Sequence, residues 1–274
     1  MDRSQQAPHY DVLYEVTDKV ARITLNAPER LNALDENTYG ALLAALDEFE
    51  GDEEARVAVL SGTGTSFCAG ANLKSLSETA PASSLWERRA RIRSHAELWI
   101  RIWDHPKPII AQVHGHCLGA GVLLAASCDI TIVARDAVIG WPKLPVGGGY
   151  ISHMVSWHIG PKRAKEMSFI AGSTIDGKTA AEWGLANRAV DPDTLGDEVA
   201  QMAAQISLMP NSLLELKKRS INSVFNHAGY REEVLQSADR DAMSHEDPGV
   251  LKARDWIKTD GFKSAQQRYE HFGV

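Results

Sequence analysis

Apolar and polar residues alternate early in the chain. In Val20–Leu25, Ala21, Ile23 and Leu25 share one face and Arg22 and Thr24 the other, the period of a half-buried strand. Val12–Val16 precedes it, and Thr17-Asp18-Lys19 between the two predicts a hairpin. After a loop over Asn26–Ala33 the period lengthens. Tyr39, Leu42, Leu43, Leu46 and Phe49 form one helical stripe, with Asp35 placed to cap it. Val57–Ser61 reads as a short apolar strand, ended by Gly62-Thr63-Gly64. The Ser-, Ala- and Pro-rich stretch Ser75–Ser84 predicts a mobile surface loop. A helix is expected from about Leu85 to Trp103, with Leu98/Ile102 and Trp99/Trp103 as i, i+4 pairs, before Pro106 and Pro108 break it.

Ile109–Val113 then reads as a buried strand. It leads into His114-Gly115-His116-Cys117-Leu118-Gly119-Ala120-Gly121, an apolar helix over Val122–Ser127 and another strand over Ile130–Ala134. Repeated strand, strand, helix units predict an α/β domain. Its boundary is set at residues 1–195, leaving 196–274 as a helical C-terminal region with helices from Pro210-Asn211-Ser212, over Tyr230–Ser244 and in the tail.

Composition narrows the function. Hydrophobic residues make up 44% and charged residues 24%, the balance of a folded globular protein. The net charge of −7, from 29 basic and 36 acidic residues, argues against a nucleic-acid partner. No apolar run approaches the roughly 20 residues of a membrane span. The N-terminus has no apolar signal core, and the three cysteines, Cys68, Cys117 and Cys128, read as reduced thiols, so a cytoplasmic location is expected.

Two turns rich in small residues draw attention, Phe67-Cys68-Ala69-Gly70-Ala71-Asn72-Leu73 and Leu118-Gly119-Ala120-Gly121. Small side chains let a ligand approach the backbone, and free N–H groups at a helix start attract negative charge. Two amides from separate loops can form an oxyanion hole. Spacing alone favours close helix–strand packing over that reading. The arginines at 88, 89, 91 and 93 suit either a phosphate or a solvated helix face.

These segments, with Pro28-Glu29-Arg30-Leu31-Asn32-Ala33-Leu34, Cys128-Asp129-Ile130, Gly160-Pro161-Lys162-Arg163-Ala164 and Ala181-Glu182-Trp183-Gly184-Leu185, resemble the ordered signatures of the enoyl-CoA hydratase/isomerase (crotonase) family. The resemblance runs over roughly residues 10 to 225. It implies a crotonase-like α/β spiral of strand–strand–helix units with a helical C-terminal trimerisation region, assembled as a homotrimer or dimer of trimers. It implies an acyl-CoA substrate, coenzyme A entering as part of that substrate, with no separate cofactor and no metal. Carried over, the backbone N–H groups of Ala71 and Ala120 form the oxyanion hole. Ala69, Asn72, Leu73 and Lys74 line the CoA side, and Arg30 lies near the nucleotide end.

The chain departs from the hydratases of that family at two places. The first hydratase glutamate falls at Leu123. The second follows a Gly-x-Pro turn, which here is Gly140-Trp141-Pro142 followed by Lys143. The next loop, Leu144–Tyr150, is about three residues shorter. Leucine carries no proton, so hydration by two glutamates is not expected. Lys143 and His153 are the candidate replacements, the alternatives being an ion pair for Lys143 and a capping role for His153. His114 and His116, two apart on a stretch read as extended, would point the same way; His116 and Trp141 are assigned to the acyl pocket. Cys68 and Cys117 read as small buried residues, Asp129 as a partner for backbone donors and Asp176 as a helix cap.

Rival classes fit less well. Gly119–Leu124 lacks the third small residue and the later acid of a dinucleotide site, and there is neither a Gly-x-Ser-x-Gly elbow nor a Walker loop. Two readings remain. One is an acyl-CoA enzyme performing isomerisation, decarboxylation or hydrolytic carbon–carbon cleavage. The other is an acyl-CoA binding protein of the same fold that has lost catalysis.

Overall fold

The computed structural model describes residues 11–73, 84–147 and 151–272, without the side chains of 151–153. The expected hairpin forms from β1 (Val12–Thr17) and β2 (Val20–Leu25), paired antiparallel from Val12↔Leu25 to Thr17↔Val20. Asp18 and Lys19 turn it with positive φ, 51° and 68°, which matches the twist of the flanking strands. Helix α1 (Glu36–Gly51) begins at Asp35, whose side chain accepts from Thr38 N at 3.0 Å. It buries Leu42, Leu46 and Phe49 of the expected stripe.

Four parallel strands extend the hairpin: β3 (Val57–Gly62), β4 (Ile109–Val113), β6 (Ile130–Ala134) and β9 (Arg188–Val190), in the order β1-β2-β3-β4-β6-β9. A second sheet holds three short strands, β5 (His116–Leu118), β7 (Val138–Gly140) and β8 (Thr174–Asp176). The chain passes from one sheet to the other in successive turns. β4 leads to β5 and then helix α3 (Ala120–Ser127), and β6 leads to β7 and then α4 (Ile151–Phe169), whose axis breaks at Gly160. Helix α2 (Leu85–Asp104) crosses between β3 and β4, and α5 (Gly177–Trp183), capped by Asp176 on Thr179 N at 2.7 Å, leads to β9. This is the strand–strand–helix spiral.

The remaining elements are α6 (Leu195–Ser207), α7 (Asn211–His227), α8 (Tyr230–Ser244) and α9 (Pro248–Phe272), the last broken at Gly261. Helix α8 lies along α2. Asp239 pairs with Arg89 at 2.8 Å and with Arg93 at 3.0 Å, and Arg88 pairs with Glu246. Three of the four arginines therefore hold helices together, and Arg91 turns to a cleft described below. Tyr230, Val234, Ala238 and Ala242 of α8 join the core of both sheets, which also takes in Trp99, Phe49 and Ile110. Asp129 accepts from Ile109 N at 2.8 Å, as expected, and also from Lys218 Nζ of α7 at 2.8 Å.

One expectation fails in its geometry. His114 and His116 do not share a continuous extended stretch, because Gly115 between them has φ 56° and ends β4 before β5 begins. His114 bonds Gly64 O at 3.0 Å, and His116 approaches Ser66 Oγ at 3.2 Å. The Ser75–Ser84 loop, except Ser84 itself, lies outside the described residues.

Candidate active site

The segment after β3 is clamped on both sides. Phe67 N donates to His114 O and Cys68 N to His116 O, while Leu118 N donates to Cys68 O, at 2.8, 3.0 and 2.9 Å. Three residues on, the partner changes. Leu34 N donates to Gly70 O and Asn72 N to Leu34 O, both at 2.7 Å, which forms an isolated parallel bridge at Ala71. That bridge uses the groups on either side of Ala71, so the Ala71 N–H faces away from it.

Opposite stands the start of α3. Ala120 is its first residue, where an N–H has no intrahelical acceptor. The two turns touch. A methyl group on Gly70 would lie 2.8 Å from Leu118 O and 3.5 Å from Ala120 N, and one on Gly121 would lie 2.4 Å from Cys68 O. Only glycine fits these crossings. The small residues therefore serve the close packing of the two turns.

Asn32 fixes the crossing from behind. It is buried, with φ 55°. Its Oδ1 accepts from Ala27 N at 2.9 Å, and its Nδ2 donates to Thr63 O at 2.9 Å and Ser66 O at 2.7 Å. The sequence offered Asn32 only as a letter in a motif.

Both turns line a cleft of about 620 Å³. Ala69, Ala71, Leu73, His116, Ala120, Trp141 and Lys143 all line it, as does Leu123. Arg30 and Asn72 are not among the lining residues; the Arg30 guanidinium is held by Asp11 at 2.7 Å and Asp35 at 3.6 Å. Lys74 and the side chain of His153 lie outside the described residues. Lys143 Nζ pairs with Glu270 Oε1 of α9 at 3.0 Å, with 55% of its side chain exposed. That ion pair keeps the Glu270 carboxyl below the usual range.

The far wall was not anticipated. His95 stacks on Tyr39, ring centroids 4.0 Å apart, and approaches Glu36 at 3.0 Å. Asp241, His245 and Arg254 come from the C-terminal helices, and Phe262 and Gln266 from the part of α9 beyond its break. An aspartate and a histidine four apart near a helix end were the signal available for the first two. Burial pushes the Cys68 thiol up to about 12 and the Cys117 thiol well above its ordinary value, so neither is a ready nucleophile.

A family model for enoyl-CoA hydratase/isomerase matches residues 15–248, and the two-sheet spiral agrees with it. The chain belongs to the enoyl-CoA hydratase/isomerase family. Among its relatives, the 1,2-epoxyphenylacetyl-CoA isomerase of Escherichia coli is 34% identical over 220 residues, 77% of this chain and 82% of that one. The short-chain-enoyl-CoA hydratase of Clostridium acetobutylicum is 32% identical over 218 residues, 77% and 81% of the two chains. The crystal structure of an enoyl-CoA hydratase/isomerase from Xanthobacter autotrophicus superposes with a TM-score of 0.90 at 34% identity, covering 96% of this chain and 99% of that one. As a family member the protein is an acyl-CoA-transforming enzyme of the crotonase fold.

Proposed function

We propose that this enoyl-CoA hydratase/isomerase family protein moves protons on an acyl-CoA thioester through an enolate whose oxygen is held by the Ala71 and Ala120 N–H groups. The observation that carries the reading is the pair of amides with no acceptor among the described residues, facing one cleft from two loops locked by Gly70 and Gly121. Each such donor is worth about 3–4 kcal/mol in the transition state. A backbone donor does not depend on its side chain, so alanine at 120 serves as well as glycine.

Hydration by a pair of glutamates is not part of this reading. Leu123 faces the cleft with no proton to give, and Lys143 spends its charge on Glu270. Double-bond isomerisation is the reaction class we assign, since it needs only enolate stabilisation and a proton carrier; decarboxylation and carbon–carbon hydrolysis share the same hole. Ala69, Leu73, Asn72 and Lys74 are assigned to the CoA side and Arg30 to the nucleotide end. His116 and Trp141 are assigned to the acyl pocket. Lys143 acts in this reading as a strap to α9.

Calorimetry with acetyl-, octanoyl- and benzoyl-CoA tests the reading, and binding of at least one is expected. No heat with any of them at millimolar concentration would refute it. Crotonyl-CoA hydration should be slow, since each missing acid–base group removes about 10²–10⁴-fold. A turnover number in the ordinary enzyme range, near ~10 s⁻¹, would show that a hydratase pair exists elsewhere in the site.

A further inference from the structure

A polar pair faces the cleft that belongs neither to the amides nor to the residues assigned to CoA. Asp241 on α8 and His245 just past its end stand one turn apart, with His245 Nε2 3.4 Å from Asp241 Oδ2. Both line the cleft, and each is only 9% exposed. His245 Nδ1 is buried with no hydrogen-bond partner among the described residues. An unpaired buried nitrogen is costly, and native cores leave few of them. A histidine serving only to pack would have been satisfied or replaced by an apolar residue.

The surroundings hold this pair against the site. Pro142 packs at the amide crossing, since a methyl group on Gly119 would lie 3.9 Å from its Cδ. Five residues on, Gly147 meets the pair. A methyl group there would lie 2.8 Å from His245 Nε2 and 3.1 Å from Asp241 Oδ1. The segment between is pinned from the other side by Arg254, which donates to Val146 O at 2.8 Å, and by Leu144 packed on Ala253 and Trp256. The two other acids lining the cleft among the described residues are committed elsewhere. Asp35 caps α1 and pairs with Arg30, while Glu36 pairs with His95 and is 56% exposed.

We propose that Asp241 and His245 are the proton-transfer pair of this site, with His245 the catalytic residue and Asp241 its positioning residue. The inference rests on the thioester reading above. The imidazole nitrogen not engaged by Asp241 takes a proton from the acyl carbon next to the thioester. The C–H electron pair becomes the new carbon–carbon π bond, and the carbonyl π pair moves onto the oxygen held by Ala71 and Ala120. Asp241 balances the imidazolium. Reprotonation returns the hydrogen to that carbon or, in an unsaturated chain, to one two atoms further along.

Deuterium exchange tests this without knowledge of the natural substrate. The full-length protein is incubated in D₂O with butyryl-, crotonyl- and phenylacetyl-CoA, and NMR reads which acyl carbons gain deuterium. The wild-type protein is expected to label at least one. His245→Ala should slow labelling by 10²-fold or more, with part restored by added imidazole. Asp241→Asn should also slow it, Asp241→Glu should recover part, and the double variant should be little worse than His245→Ala alone. Thioester affinity by calorimetry should stay within a few-fold throughout. If His245→Ala does not fold by circular dichroism, His245→Gln supplies the same comparison. Labelling within threefold of wild type in a folded His245 variant overturns the proposal. So does absence of labelling by wild-type protein on a thioester that calorimetry shows to be bound, an outcome that also removes the proton-moving part of the proposed function and leaves acyl-CoA binding alone. Failure of every thioester to bind instead refutes both.

Discussion

In the proposed oxyanion hole Ala120 contributes through its backbone, so a substitution there tests the N–H and not the methyl. Ala120→Gly keeps the donor and is expected to retain most activity. Ala120→Pro removes it, and loss of one oxyanion donor lowers the rate by roughly 10²–10³. Proline is tolerated at the first position of a helix, and Ala120 holds that position, so the variant is expected to fold. Deuterium incorporation into a bound thioester, read beside circular dichroism, checks the comparison. A folded Ala120→Pro protein with unchanged labelling would leave the Gly119–Gly121 turn as a packing device only. Asn32 differs in kind. Its side chain bonds Ala27, Thr63 and Ser66, so its contribution is to tie the turn at Ala27 to the segment that follows β3.

At the joints between elements, His105 ends α2, stacks on Phe49 of α1 at 4.7 Å and bridges to the approach of β4. Its Nδ1 lies 3.1 Å from Lys107 N and 3.0 Å from Lys107 O, and its Nε2 lies 3.2 Å from Leu46 O. Burial lowers its pKa to about 4 from 6.5. The unfolded chain therefore binds this proton first, and the contribution present above pH 6.5 is lost as the pH falls toward 4. By linkage, about 2 kcal/mol disappears by pH 5. Urea unfolding at pH 7 and pH 5 should show that loss in wild type and a shallower dependence in His105→Gln; equal slopes would contradict it. Long periodic elements such as α1 and α2, and the strands β1 to β4, were legible in the sequence because their burial pattern is regular over several turns or residues. The three-residue strands β5, β7 and β8 were not, since three residues carry no period and their pairing depends on distant partners. The same limit governed the site. Ala71 and Ala120 sit inside local motifs, whereas Asp241, His245 and Arg254 reach the cleft only because α8 and α9 fold back on it.

Across the whole molecule the C-terminal helices have an unbalanced surface. Helix α7 buries Leu214, Lys218 and Asn222, four apart, against the rest of the chain. Its other face carries Leu213, Leu216, Ile221 and Val224, all exposed, the last three by more than 60%. Nearby in the sequence Leu208 is 80% exposed, and at the end of α4 Phe169 is 81% exposed. A helix whose outer face is more apolar than its inner one is not stabilised by water, and contiguous apolar surface of this kind marks contact with another chain. We assign this face to association of like chains, a homotrimer or a dimer of trimers. The wild-type protein should then sediment at three or six times the chain mass at micromolar concentration. Leu216→Glu combined with Val224→Glu, which places charges on the exposed face at two residues that do not line the cleft, should shift the protein to smaller species while the far-ultraviolet spectrum stays helical. A wild-type protein that sediments as a monomer would refute the assignment. A doubly substituted protein that keeps the wild-type mass would move the interface to another face.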